Sequence, residues 1–196
     1  MALAVCASFG AAAALADHHE GFGVPSGNYV LEDTHGYITF SYSHLGFSTP
    51  HIGFDAFDVS LTADASKPEA SNIAVTIDAK SINSRVAKFD EHLNADDFFD
   101  TAKYPEITFN STAITRTGKD TFDITGDLTI KDTTKPVTLA ATINKAANHP
   151  MRKVPTIGVN AEGKLMRSEW GLGKYAPAVG DEITLMVTAE LIQAKR

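Results

Sequence analysis

Apolar and polar residues alternate with a period of two from Asn28 onward, and this alternation limits the possible folds more than any other feature of the chain. In the segment FDITGDLTIK at 122–131, every even position is apolar or glycine and every odd position is Asp, Thr or Lys. Because successive side chains of a strand point to opposite faces, the pattern predicts β-strands with one buried and one solvated face. The 20 threonines of the chain suit the solvated face, since a branched Cβ fits a pleated surface.

Turn signals such as TTKP at 133–136 separate the alternating segments, which number about eight or nine. Long antiparallel strands in this number tend to close into a barrel, because closure removes unpaired edges. The predicted fold is therefore an all-β, antiparallel barrel of about eight strands, with room inside for side chains or one ligand. The predicted strands are roughly 27–32, 36–45, 52–62, 72–80, 105–117, 120–131, 135–147, 155–165 and 181–193.

Residues 84–100 break the alternation and predict a short helical insertion. Three apolar residues recur there at helical spacing: Val86, Phe89 and Leu93. Ser84 is placed to cap the N-terminus of this helix, and residues 95–99 are expected to begin a second short helix. The insertion either covers an open end of the barrel or packs against its outside, and the periodicity favours neither.

The first 16 residues carry no charge and are almost entirely apolar. This stretch is too short to span a bilayer, which takes about 20 residues, and Ala14-Leu15-Ala16 places small residues where a signal peptidase reads them. We expect a signal peptide at 1–16, a flexible N-terminal segment at 17–27, the barrel domain at 28–193 and a location in the periplasm. Because no Lys or Arg precedes the apolar stretch, a start farther upstream and an ordinary buried helix are the alternatives.

Cysteine and histidine usage exclude most reactive and metal sites. Cys6 is the single cysteine, so the chain has no internal disulfide and no cysteine-based metal site. The seven histidines form no H-x-x-x-H or H-E-x-x-H pair, and no catalytic or metal site is predicted in the barrel. Cleavage after Ala16 would create one candidate, since a terminus beginning Asp17-His18-His19 offers nitrogen ligands suited to Cu(II) or Ni(II).

The charge of the chain excludes nucleic acid as a partner. The net charge is −7, and the 17 Lys and Arg residues form no run. Binding to a phosphate backbone needs a clustered positive surface, which this sequence does not supply.

Several segments match a known family in their order and spacing. They are DTH at 33–35, ITFSYSHL at 38–45, GFDAF at 53–57, DFFD at 97–100, YPEITF at 104–109 and WGL at 170–172. Through these segments the chain resembles the YceI-like family of polyisoprenoid-binding, lipocalin-like periplasmic proteins. The resemblance implies an extended antiparallel barrel that encloses a long lipid without performing chemistry on it. It also implies a polyprenyl phosphate, isoprenoid quinone or fatty amide as ligand, no cofactor, no stable membrane insertion and a homodimer.

The expected ligand-binding residues are side chains on the apolar face of the strands, aromatic residues of the helical insertion, and Trp170. These candidates are Phe40, Tyr42, His44, Ile77, Phe89, Phe98, Phe99, Phe109, Ile124, Leu128, Leu139, Trp170 and Leu185. The helical insertion is expected to gate the mouth of the cavity. Four basic residues near that mouth are candidates for contacts with a lipid head group, and the alternative for each is a solvated surface charge: Arg85, Lys88, His92 and Arg167.

Two other classes of protein fit parts of the same pattern. A barrel enzyme acting on an isoprenoid or quinone would need a buried ionisable group, for which Tyr42 and His44 are the candidates. A small outer-membrane barrel would turn its apolar residues outward, and periodicity alone does not distinguish inside from outside.

Overall fold

The computed structural model describes residues 23–195 of the chain. The expected signal peptide at 1–16, most of the expected flexible segment and the Asp17-His18-His19 terminus lie outside the described residues. Within residues 23–195 the chain forms ten strands and one α-helix: β1 (Gly27–His44), β2 (His51–Phe54), β3 (Phe57–Ala63), β4 (Asn72–Asp78), β5 (Ile82–Asn83), α1 (Ala87–Asn94), β6 (Glu106–Arg116), β7 (Thr121–Ile130), β8 (Thr133–Asn148), β9 (Pro155–Met166) and β10 (Val179–Gln193). No helix in this range is long and apolar enough to span a membrane.

Eight of the strands close into an antiparallel barrel. Their order is β1, β3, β4, β6, β7, β8, β9 and β10, and β10 pairs back onto β1. This closure runs from the pair Tyr29 and Gln193 at one end of the barrel to the pair His44 and Val179 at the other. The predicted all-β barrel of about eight strands with a short helical insertion is confirmed.

The predicted strands 27–32 and 36–45 are in fact one continuous strand, β1. Leu31 pairs with Leu191 and Gly36 pairs with Ala189, so residues 32–35 bulge out of the ladder opposite a single residue of β10. The polar residues of the bulge interrupt the alternation, which is why the sequence indicated two strands. Gly36 allows the bulge to pack tightly, since a Cβ there would lie 2.8 Å from Cδ1 of Leu31.

The predicted strand 52–62 is instead divided into β2 and β3. Both pair with β1, but β2 also pairs with β5 whereas β3 pairs with β4. At residues 55–56 the chain passes from β2, which lies beside β5, to β3, which lies beside β4. The strand β5 runs towards the end of the barrel at which His44 lies. Helix α1 follows β5 and therefore lies at that end.

Helix α1 confirms the predicted insertion, but its N-terminus differs from the expectation. The N-cap residue is Val86, whose side chain makes no capping hydrogen bond, so the predicted capping by Ser84 is wrong. Asp90 instead accepts a hydrogen bond of 2.6 Å from the backbone N–H of Ser84 and closes the segment before the helix. Residues 95–99 form turns rather than a second helix.

The bulge in β1 is held by a buried carboxylate. The side chain of Glu32 is only 4% exposed and accepts hydrogen bonds of 2.8 and 2.9 Å from the Thr34 hydroxyl. Its carboxylate also lies 2.6 Å from Nδ1 of His35 and pairs with the guanidinium of Arg152. Burial alone would raise the pKa of Glu32, but these hydrogen bonds and the Arg152 charge outweigh it and lower the pKa to about 2.

Glu32→Gln is expected to lower the free energy of unfolding at neutral pH by about 1–2 kcal/mol, through the loss of charge-assisted hydrogen bonds. A carboxyl whose pKa is lowered by folding stabilises the protein above its unfolded pKa, and that contribution disappears as the pH falls through the folded value. The wild type should therefore lose this stability as the pH falls from about 4.5 to about 2. Denaturant titrations across this range test it, with the exposed Glu182→Gln as control. Parallel profiles for Glu32→Gln and the wild type would contradict the prediction.

Candidate functional site

The barrel contains an elongated internal cavity of about 340 Å³. All eight barrel strands contribute to its lining, through the side chains of the parity that the alternation marked as apolar. In β7, for example, Ile124 and Leu128 point inward, whereas the Thr125 hydroxyl lies outside and contacts the Thr138 hydroxyl at 2.9 Å. The apolar side of each strand therefore faces the interior, which is the reverse of the lipid-facing arrangement considered above.

One inward position of β7 is occupied by a residue from the neighbouring strand. Between Ile124 and Leu128 stands Gly126, where a Cβ would lie 2.4 Å from Cζ of Phe109 and 2.6 Å from the carbonyl oxygen of Asn110. The absence of a side chain at Gly126 lets the Phe109 ring approach the backbone of β7 closely. Phe109 therefore shapes the cavity wall across two strands.

The end of the barrel where β1 begins is closed by a separate apolar cluster. Tyr29 is completely buried there, and its hydroxyl donates a hydrogen bond of 2.7 Å to the carbonyl oxygen of Pro25. Val24, Leu61 and Leu191 are buried in the same cluster. The cavity is thus blind at this end, and a ligand has to enter from the other.

The opposite end, which we call the mouth, lies under α1, the turn that follows it and the loop 171–178. The rings of His92 and Phe98 meet edge to face at 4.8 Å, and Phe98 lies 6.3 Å from the ring of Tyr175. Lys174 pairs with Asp97, so an ion pair joins the turn after α1 to the loop. These contacts bridge the mouth from one side to the other.

Twelve of the thirteen expected lining residues do line the cavity, and Trp170 alone does not. The Trp170 ring is 2% exposed and packs in the surrounding core, where its indole N–H donates a hydrogen bond of 3.2 Å to the carbonyl oxygen of Leu128. Its place is behind the wall of the cavity. The periodicity does not reveal this, because Trp170 belongs to a 3-10 turn and not to a strand.

The structure places the four candidates for contacts with a lipid head group at different positions. His92 and Arg167 line the cavity, whereas Arg85 and Lys88 are exposed and do not. Arg167 is largely occupied, since its guanidinium donates hydrogen bonds to backbone carbonyl oxygens of the loop 171–178, which we call the mouth loop, and of the start of β10. The acceptors are Leu172 and, at 2.9 to 3.0 Å, Lys174, Val179 and Gly180. Arg167 holds the mouth loop in place more than it offers a free charge.

Two polar residues of the mouth were missed by sequence reasoning. Lys174 and Tyr175 both line the cavity from the loop 171–178. This loop has no periodic pattern, and its approach to α1 depends on contacts between segments far apart in the chain. The absence of acidic residues from 170–180 is the one local signal that distinguishes it.

The polar groups facing the cavity gather at the mouth, and the remainder is apolar. Burial raises the pKa of Tyr42, although the nearby positive charge of Arg167 opposes this shift, so the hydroxyl stays protonated and available as a donor. His44 lies at the end of β1 and is exposed. The arrangement fits a ligand with a long apolar chain inside and a polar end at the mouth.

One further group of possible metal ligands lies on the outer side of the bulge. Glu32, His35 and Glu190 place ligand atoms within 4.8 Å of one another. The guanidinium of Arg152 already supplies a positive charge to the Glu32 carboxylate. Glu32 and His35 therefore already take part in the ion pairs that hold the bulge.

Comparison with known proteins agrees with the geometry. A family model described as a YceI-like domain matches residues 29–191. Protein YceI of Escherichia coli is 37% identical over 164 residues, which cover 84% of this chain and 85% of that protein. A Campylobacter jejuni YceI structure is 27% identical with a TM-score of 0.70, covering 78% of this chain and 90% of the other. A polyisoprenoid binding domain from Saccharophagus degradans, 13% identical with a TM-score of 0.66, shares the fold over 85% of this chain and 98% of its own.

Proposed function

Because the chain belongs to the YceI-like domain family, we propose that its barrel binds a long isoprenoid-type lipid for carriage or storage in the periplasm. The ligand is a polyprenyl phosphate, an isoprenoid quinone or a fatty amide. The observation that supports this most directly is the cavity itself, which is blind at one end, apolar along its length and polar only at its mouth. The name of the Saccharophagus degradans neighbour points to the same class of ligand.

The dimensions and energetics are sufficient for such a ligand. A strand of about 12 residues, rising about 3.4 Å per residue and tilted by about 40°, gives a barrel about 30 Å tall. Each buried CH₂ contributes about 0.8 kcal/mol, so a chain of about 20 carbons gives a gross term near 16 kcal/mol. Ordering the flexible chain reduces this term. Binding affinity therefore does not limit a carrier of this kind, and the rate at which lipid passes through the mouth does.

We propose that the protein binds this lipid and does not catalyse a reaction on it. The polar and ionisable side chains that face the cavity stand at the mouth, where they would contact one end of a lipid, and apolar side chains surround the rest. Tyr42, one candidate for an enzymatic role, has its pKa raised by burial and is suited to donating a hydrogen bond at neutral pH. The contacts across the mouth made by Phe98, Tyr175 and the pair of Asp97 with Lys174 have to open for the lipid to pass.

Native mass spectrometry of the protein expressed with its leader and recovered from the periplasm tests the proposal. We expect a bound mass that organic extraction identifies as an isoprenoid-type lipid, and a polypeptide that begins at Asp17. The mass of the intact assembly in the same spectrum shows whether the protein forms the homodimer that the family resemblance implies. A folded protein recovered without lipid, and unable to take up added isoprenoid quinone or polyprenyl phosphate, would falsify the binding proposal. A polypeptide that retains residues 1–16 would contradict the leader and the location.

A further inference from the structure

Two neighbouring loops at the mouth expose apolar side chains to solvent. Leu45 and Phe47, in the turn between β1 and β2, are 52% and 90% exposed, and Tyr175 in the mouth loop is 53% exposed. The backbone N–H of Leu45 donates a hydrogen bond of 3.1 Å to the carbonyl oxygen of Ala178, so the turn and the loop lie side by side. We call Leu45, Phe47 and Tyr175 the mouth surface.

The two loops that carry the mouth surface contain no acidic residue, although the protein is acidic as a whole. The chain has 24 Asp and Glu residues and a net charge of −7, yet neither 34–54 nor 170–180 contains one. The single lysine of these two stretches, Lys174, is paired with Asp97. The surface is therefore apolar and close to neutral. Attraction of a basic patch to anionic groups does not explain it, because no such patch is present in these loops.

The backbone conformation of the turn indicates independently that Leu45 has a role other than stabilising the fold. Leu45 and Gly46 have φ angles of 55° and 75°, and the N–H of Phe47 donates a hydrogen bond of 3.0 Å to the carbonyl oxygen of His44. A turn with positive φ at both central positions favours Asn or Gly, and leucine is a poor choice there. Because Leu45 is also half exposed, neither the turn nor the core accounts for a large apolar side chain at this position.

We propose that the mouth surface docks the protein onto a lipid bilayer, with Leu45 and Phe47 inserted at the interface and Tyr175 beside them. This inference rests on the proposed function, since an isoprenoid chain leaving a bilayer would otherwise expose its whole apolar surface to water on the way to the cavity. Docking at the mouth lets the chain pass from one apolar environment to the other. Exposed leucine and aromatic side chains, including tyrosine, suit the interfacial region of a bilayer.

Flotation with vesicles of phosphatidylethanolamine and a minor share of phosphatidylglycerol tests the docking. Phe47→Ser is expected to weaken vesicle binding about tenfold, because the inserted ring is lost. Leu45→Asn should also weaken it while leaving the melting temperature unchanged or raised, which a purely structural role of Leu45 would not do. Met151→Ser is the matched control, since Met151 is 83% exposed but lies in the loop at the blind end of the barrel. Binding should change little with ionic strength.

The outcomes separate this inference from the proposed function. Lipid extracted from the cavity reports on the proposed function, and flotation of the same preparations reports on docking. Absence of wild-type flotation, or equal flotation of Phe47→Ser and Met151→Ser, would overturn the docking. A concentration-dependent oligomer that Phe47→Ser disrupts, with vesicle binding unaffected, would also overturn it and assign the surface to a second copy of the chain.

Discussion

Replacement of Arg167 by methionine is expected to lower the free energy of unfolding by about 3 kcal/mol or more, the largest loss of stability we expect from any single polar residue. Arg167 is 9% exposed, and its guanidinium donates to the carbonyl oxygens of Gly180, Val179 and Lys174 at 2.9, 2.9 and 3.0 Å, and to that of Leu172. Methionine would leave these acceptors without their donor. Denaturant unfolding measures the change.

The same variant should loosen the mouth before it unfolds the barrel. The carbonyls that Arg167 holds belong to the mouth loop and the start of β10, so hydrogen exchange should rise there first. Arg167→Lys should recover only part of the stability, because an ammonium lacks the planar fork that reaches several acceptors. Lys164→Met is the control: Lys164 is exposed, and solvent screens its 2.8 Å pair with Glu182, so its loss should change the stability little. Equal losses for Arg167→Met and Lys164→Met would contradict the role assigned to Arg167.

Features that repeat along a strand could be predicted from the sequence. The alternation of Ile124, Leu128 and Leu139 with threonines identified the strands and the residues that share one face, because side-chain direction in a strand depends only on position. That this face turns inward was implied by the family resemblance and not by the alternation. The short helix around Phe89 was also predictable, since it follows a local period. The direction of a side chain was therefore predictable from the local pattern wherever it belongs to a regular strand.

Features that depend on contacts between distant segments could not be predicted. The polar bulge at Glu32 resembles a gap between strands until Arg152, 120 residues away, is seen to pair with it. Arg167 resembles any other basic side chain, and only the fold shows that it binds the backbone of the mouth loop and of the start of β10. Trp170 was expected among the ligand-binding residues, whereas its ring is buried in the core and its indole N–H donates a hydrogen bond to the backbone of β7.

Ala161→Trp is expected to weaken lipid binding about a hundredfold while the barrel remains folded. Ala161 lies on β9 with its side chain in the cavity lining, so an indole at this position projects into space that the lipid would occupy. Displacing about four methylenes removes about 3 kcal/mol of binding free energy, at about 0.8 kcal/mol each. Since the indole enters an existing cavity and not a filled core, the overpacking that usually destabilises small-to-large substitutions should be small. Lipid retained after purification, measured by native mass spectrometry, gives the result.

The control for this substitution is Ala140→Trp, on the neighbouring strand β8. Ala140 is exposed and points to the outer face, where it pairs with Glu162, so the same indole there adds bulk without entering the cavity. If the cavity holds the lipid, Ala161→Trp should lose the bound mass and Ala140→Trp should keep it, at similar melting temperatures. Equal lipid content in the two folded variants would place the lipid elsewhere on the protein. A loss in both would indicate that the substitutions act through the barrel as a whole and not through the space enclosed by it.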